Sequence, residues 1–188
     1  MNKDAIEKSA NFYHKGTMAI LEKLIGTKAS AIVASPIIFK KGTEIFSIVP
    51  GKKDITNNMD YMLSYIMNGS FSLEIKIKLL LLLESNKWEN GHRLLMLYDK
   101  LSEPTTKFIE EALKEITSKT PIYKGINRKL NEEFKINFSW NAQKLISNSS
   151  QAFESWRYSF EKEKELTWFA GYLELQDALN SRIEMIRE

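Results

Sequence analysis

The side chains best suited to chemistry in this chain lie on and just beyond its most apolar stretch, within residues 68–101. Glu74 and Lys78 are four residues apart there, so a helix would place both on one face, with the acid in the favourable N-terminal position. His92 follows an Asn-Gly pair that predicts a turn and the start of another helix. An imidazole can act as a general acid or base near neutral pH, although a helix cap or a core contact is the simpler role. For Glu74 and Lys78, a structural ion pair is likewise the simpler alternative to a functional cluster.

A second set of polar residues lies among three aromatic residues at helical spacing near the C-terminal end. Arg157 is followed four residues later by Glu161, so these two also share one helix face. A guanidinium beside aromatic rings can donate two hydrogen bonds to one carboxylate, which predicts a structural salt bridge from Arg157 to Glu74. An aromatic and basic patch for RNA is the alternative. The predicted polar or binding cluster therefore has five members: Glu74, Lys78, His92, Arg157 and Glu161.

Composition is that of a soluble globular protein with a packed core. The chain has 188 residues, 43% of them hydrophobic and 11% aromatic, which suits a single domain. A surplus of 27 basic over 24 acidic residues gives a net charge of +3, and this small, dispersed excess is weak evidence for nucleic-acid binding. With no cysteine and two histidines, neither disulfides nor a transition-metal site is expected, and no cofactor is predicted.

Known short motifs and targeting segments are missing from the sequence. It contains no phosphate loop, dinucleotide fingerprint, HExxH or nucleophile elbow. The N-terminus lacks the apolar region of a signal peptide. The longest strongly apolar run, residues 79–83, is far shorter than the ~20 residues needed to span a membrane. We therefore expect a cytoplasmic protein with no membrane partner.

Hydrophobic spacing predicts an all-α fold, an antiparallel, up-and-down bundle of five to seven helices joined mostly by short turns. Residues 118–138, with Pro121 and Gly125, are predicted to connect helices. We expect one domain over residues 1–188, with its core at about 60–165. The N-terminal and C-terminal helices that pack on this core are predicted at 3–25 and 166–187.

Residues 29–50 allow two interpretations. Ser35 and Pro36 could cap and begin a helix that ends before residue 50, and the sequence slightly favours this interpretation. The β-branched runs on either side of residues 40–43 could instead form a short hairpin.

Three segments, taken together, resemble the HEPN superfamily. The first has Asn68 followed by the Glu74-x-x-x-Lys78 pattern and a run of leucines. The second is the Gly-His-x-Leu segment around His92, and the third is the Ala-Phe-x-x-Trp-Arg-Tyr-x-x-Glu segment that contains Arg157. They are similar to the HEPN-like branch with a "GHxL" signature, and they cover about residues 60–165.

The resemblance implies a compact bundle of about four core helices that often dimerises. Many HEPN proteins are ribonucleases of toxin–antitoxin or phage-defence systems, whereas others bind partners without catalysis. The ribonucleases carry an arginine four to six residues before a histidine on one helix. That motif is absent here, because the first arginine, Arg93, follows both His14 and His92, and no histidine follows Arg157.

The sequence therefore predicts a non-catalytic HEPN-like protein, expected to be a homodimer, that binds a protein, an RNA or another ligand. A bacterial toxin–antitoxin or phage-defence context is implied by the resemblance alone. One alternative is an atypical ribonuclease that uses His92 and Arg157 as catalytic residues. The other is an oligomeric scaffold.

Overall fold

The computed structural model describes residues 2–25, 37–40, 44–47, 59–119, 121–134, 139–157 and 171–188. Within these ranges the chain forms seven helices: α1 Lys3–Ile25, α2 Met59–Ser85, α3 Leu94–Tyr98, α4 Glu103–Lys119, α5 Pro121–Phe134, α6 Ala142–Arg157 and α7 Tyr172–Arg187. The predicted all-α helical bundle is confirmed. None of these helices combines the length and apolar character needed to cross a membrane.

A two-stranded antiparallel hairpin accompanies the helices, formed by β1 Ile37–Lys40 and β2 Glu44–Ser47. Ile37 lies opposite Ser47, and Lys40 lies opposite Glu44. The hairpin interpretation of this region is therefore correct, and the slightly favoured helix is wrong. Residues with branched or aromatic side chains, such as Ile38 and Phe39, favour extended backbone over helix.

Helix α2 lies at the centre of the bundle, in contact with α1, α3, α6 and α7. Leu73, Ile77 and Leu80 are completely buried, and apolar residues occur around its whole circumference. A helix of this kind must be covered on every side, which is why four helices pack against it.

Hydrogen bonds fix the directions of the three helices α1, α2 and α7. Ser72 of α2 donates to the Ala10 carbonyl of α1, and Lys3 donates to Asn86 at the far end of α2, so α1 and α2 are antiparallel. Between α2 and α7, Gln176 donates to Ser72, and Lys76 donates to Asn180. From the first pair to the second, the residue numbers rise by four on both helices. Helices α2 and α7 are therefore parallel, since both run opposite to α1.

The structure corrects one predicted element and defines the start of another. The segment predicted to connect helices contains α5, because proline is compatible with the first turn of a helix and the Tyr123 side chain is buried. The C-terminal helix α7 begins at Tyr172, and the predicted start at residue 166 lies outside the described residues. Gly171, just before α7, has φ of 71°, a left-handed conformation that cannot continue an α-helix.

The start of α6 is fixed by one residue of its own segment and one from α4. The Asn141 side chain accepts a hydrogen bond from the Lys144 N–H at 3.0 Å, as a helix N-cap does. The Glu110 carboxylate of α4 accepts the Ala142 N–H at 2.9 Å and the Asn141 side-chain amide at 2.8 Å. This carboxylate therefore satisfies donors that a helix N-terminus leaves open and anchors α6 to α4.

Candidate functional site

The predicted pair Glu74 and Lys78 is formed, and it is buried. The Lys78 ammonium donates to Glu74 Oε1 at 2.8 Å, and the two side chains are only 5% and 11% exposed. Each is carried by α2, where a spacing of four residues places them on one face. The two charges compensate each other, as a buried ion pair must.

His92 joins this pair from the segment that follows α2. The helix ends at Ser85, and Asn86 adopts a left-handed φ of 55° that turns the chain away. His92 Nδ1 then lies 2.9 Å from the same Glu74 Oε1. A carboxylate can only accept at that distance, so Nδ1 carries the proton and Nε2 is left for other partners. The imidazole is 77% exposed, so Nε2 is open to solvent.

Trp88 completes the surroundings of the ion pair. The Lys78 ammonium lies 5.4 Å from the centre of the Trp88 ring, within range of a cation–π interaction. The indole therefore lies over the buried charge near the protein surface. This arrangement stabilises the ion pair and leaves His92 as its solvent-exposed member.

A groove of about 360 Å³ lies beside His92 at the start of α3. Its lining combines cationic and apolar side chains: Gly91, His92, Arg93, Met96, Leu97 and Lys100. Among the described residues the Arg93 side chain has no ion-pair or hydrogen-bond partner, whereas Lys100 is bridged to Glu89 at 2.5 Å. Met96 is 57% exposed and presents its apolar side chain to solvent. The groove therefore presents the Arg93 guanidinium, unpaired within the described part of the chain, beside an apolar surface.

The structure thus brings three of the five predicted cluster residues together: Glu74, Lys78 and His92. Arg157 is the last residue of α6, but only its backbone belongs to the described part of the chain. Glu161 lies outside the described residues. The predicted salt bridge from Arg157 to Glu74 therefore stays a prediction. In the described part of the chain, the partners of Glu74 are Lys78 and His92.

A second polar cluster, which the sequence did not predict, lies between α1, α2 and α7. Lys76 is 1% exposed and donates to the Asn180 side chain at 2.5 Å. Burial lowers the pKa of Lys76 to about 8, although Asp177, Glu7 and Glu184 favour its charged form. The signal for this cluster in the sequence was Lys76 itself, a charged residue between Glu74 and Lys78 in the most apolar part of α2.

Two more titratable groups lie in the same layer. His14 Nδ1 is 2.9 Å from the Tyr172 hydroxyl, and burial, assisted by repulsion from Lys76, lowers the pKa of His14 to about 4. Glu174 accepts a hydrogen bond from Tyr123 at 3.0 Å, and burial raises the pKa of Glu174 to about 7. His14 is half-buried and Glu174 is fully buried, and both bond to other helices, so we expect them to act on stability.

Nothing among the described residues resembles a metal centre, since no three histidine or acidic side chains converge there. The arrangement that can act on another molecule is the exposed imidazole of His92, oriented by a buried carboxylate, at the edge of a cationic and apolar groove. Comparison of the chain with family models, with curated proteins and with solved structures gives no match.

Proposed function

We propose that this protein is a non-catalytic HEPN-like binding protein that holds a macromolecular partner, RNA, in the groove beside His92. The observation that carries the proposal is the closed pairing of Glu74 with Lys78. Both side chains are nearly buried and bonded to each other, so neither can reach a phosphate without breaking the pair. Two of the five residues of the predicted polar cluster are thereby engaged with each other and not with a substrate.

The groove supplies the binding surface. The Arg93 guanidinium, which has no partner among the residues that the structure describes, can form two parallel hydrogen bonds with a phosphate. Met96 offers an exposed thioether, and the His92 ring offers a flat face on which a base can stack. A cation beside an apolar surface suits a single-stranded nucleic acid, whose bases and phosphates are both accessible.

The assignment to the HEPN-like class is proposed from the three sequence segments alone. The homodimer and the setting in toxin–antitoxin or phage-defence systems are proposed on the same ground. None of these three expectations depends on the geometry of the groove.

A second candidate, an atypical ribonuclease, is favoured by one observation. The 2.9 Å contact between His92 and Glu74 orients an imidazole with a buried carboxylate, as in many acid–base sites. Nε2 is then the nitrogen that could exchange a proton with RNA, with Arg157 as the predicted stabiliser of phosphate charge.

RNA binding and RNA cleavage, measured on the same samples, separate the two functions. A labelled single-stranded RNA is titrated with the wild type, Arg93→Ala, His92→Ala and Arg157→Ala, and product is followed on denaturing gels. Arg128→Ala is the matched control, because Arg128 is an exposed arginine on α5 that does not line the groove. We expect binding without cleavage, a severalfold loss of affinity in Arg93→Ala, and none in the control.

Cleavage that disappears in folded His92→Ala would establish the ribonuclease instead. Equal affinities for the wild type and Arg93→Ala, or no binding at low salt, would refute RNA binding in this groove. Low salt is the stringent condition, because contacts to phosphates weaken steeply as salt rises.

A further inference from the structure

The chain contains two Asn-Gly pairs, Asn68-Gly69 and Asn90-Gly91, in contrasting surroundings. An asparagine before glycine can lose its amide nitrogen when the following backbone nitrogen attacks the side-chain carbon and closes a five-membered ring. Glycine favours this step because it has no Cβ to obstruct the approach. The reaction also requires a backbone that can bring the two groups together.

Asn68 is held in a conformation that prevents this attack. It lies within α2, where each backbone N–H donates to the carbonyl four residues earlier. Its side-chain amide also donates to the Ser64 carbonyl at 2.8 Å. The nitrogen that would attack is therefore engaged, and the side chain that it would attack is fixed.

Asn90 has none of these restraints. Asn90 and Gly91 are both exposed in the non-helical segment between α2 and α3. Within the described part of the chain, neither the Asn90 side chain nor the Gly91 N–H forms a hydrogen bond. The segment can therefore reach the conformation from which the ring closes.

We propose that Asn90 is a site of spontaneous deamidation at the edge of the groove. The Gly91 nitrogen gives up its proton and bonds to Asn90 Cγ, the bond from Cγ to the side-chain nitrogen breaks, and ammonia leaves. Water then opens the ring at one of its two carbonyl carbons, yielding aspartate or isoaspartate. The net change is hydrolysis of an amide to a carboxylate and ammonium, with no oxidation or reduction.

The product changes the chemistry of the groove. A new carboxylate appears two residues before His92 and three before Arg93, both of which line the groove. In the isoaspartate product the main chain gains one carbon between Asn90 and Gly91, which shifts His92 relative to Glu74. If the groove binds RNA, as proposed above, both products weaken that binding, because the new carboxylate repels the phosphates. The isoaspartate product also displaces the imidazole of His92.

Ageing of the folded protein in mildly alkaline buffer tests the proposal. Peptide mapping by mass spectrometry follows both asparagines, and isoaspartate is detected by methylation with an isoaspartyl methyltransferase. We expect conversion at Asn90 while Asn68 stays intact, and conversion of both once the protein is unfolded in urea. An intact Asn90 in the folded protein, or equal rates at the two sites, would overturn the inference.

Gly91→Ala supplies a variant that keeps the fold. A Cβ at this position would meet only Leu97 Cδ2, at an ordinary 3.9 Å. We expect its deamidation to slow by an order of magnitude. These mass measurements do not depend on RNA. Asn90→Asp, assayed separately for RNA affinity, tests the consequence for binding, so failure of the proposed function is distinguishable from failure of the modification.

Discussion

Replacing Glu174 by glutamine tests the electrostatics of the core. Glu174 is 2% exposed, and its Oε1 accepts the Tyr123 hydroxyl at 3.0 Å. Burial raises its pKa from 4.5 to about 7, against the opposing effect of its hydrogen bonds. The difference between these two values corresponds to ~3 kcal/mol by which the folded state favours the neutral acid.

The sign of the pH dependence follows from this difference. The folded protein binds the proton of Glu174 more tightly than the unfolded chain, so protonation stabilises the fold. Below about pH 4.5 both states are protonated and no charge is buried. As pH rises through about 7, the contribution of ~3 kcal/mol is progressively lost. Glutamine cannot ionise and keeps an oxygen for Tyr123, so Glu174→Gln should escape this loss.

The assay is urea unfolding of the wild type and Glu174→Gln over this pH range, with the free energies subtracted. Subtraction is necessary because His14 titrates in the same range with the opposite sign. Its folded pKa is lowered to about 4, so its contribution is lost as pH falls. We expect the variant to be more stable by ~2–3 kcal/mol near pH 8 and equal to the wild type near pH 4.

Glu132→Gln is the matched control, because Glu132 is an exposed carboxylate on α5. Its pH profile should coincide with that of the wild type. A stability difference between Glu174→Gln and the wild type that stays constant with pH would refute the reasoning. So would a variant that is less stable than the wild type near pH 8.

Two further substitutions test the packing of the fold. Gly171→Ala should lower the unfolding free energy by ~2 kcal/mol or more, because φ is 71° and the new Cβ would lie 2.7 Å from a leucine side chain. Gly125→Ala, which meets nothing within 4 Å on α5, should leave stability equal or higher in the same thermal melts. Glu110→Ala should cost ~1–2 kcal/mol in urea unfolding, since the α6 N-terminus loses its acceptor. The neighbouring exposed Glu111→Ala should cost almost nothing, and equal losses in both would contradict the capping role.

The sequence predicted those elements whose hydrophobic period is strong and whose ends carry clear signals. The bounds of α1 were predicted correctly from such a pattern. Helix α5 was missed because proline and glycine normally break helices, whereas here Pro121 occupies the first helical position. The left-handed conformation of Gly171 before α7, where a Cβ would meet Leu145 of α6, depends on tertiary packing that no local pattern reveals.

Polar contacts, like helix bounds, are predictable from the sequence when they are local and not when they depend on how helices pack. A spacing of four residues on one helix predicts that Glu74 and Lys78 meet, because the helix alone determines their separation. The partner of Lys76 is Asn180, more than a hundred residues away on α7. Only the arrangement of whole helices brings those two side chains together, so no sequence pattern could have identified the pair.

Three charged residues in the most apolar part of α2, Glu74, Lys76 and Lys78, also explain how one helix can meet two different polar surroundings. Each residue turns the helix by about 100°, so Glu74 and Lys78 share a side while Lys76 points to nearly the opposite one. The first side meets the segment carrying His92 near the surface, and the second meets α7 in the interior. Lys76 is held where its charge is disfavoured, as its lowered pKa shows, and therefore contributes to the pH dependence of stability. The pair on the first side compensates its own charge and orients His92 outward, so we expect substitutions at the groove to leave the buried layer around Lys76 undisturbed.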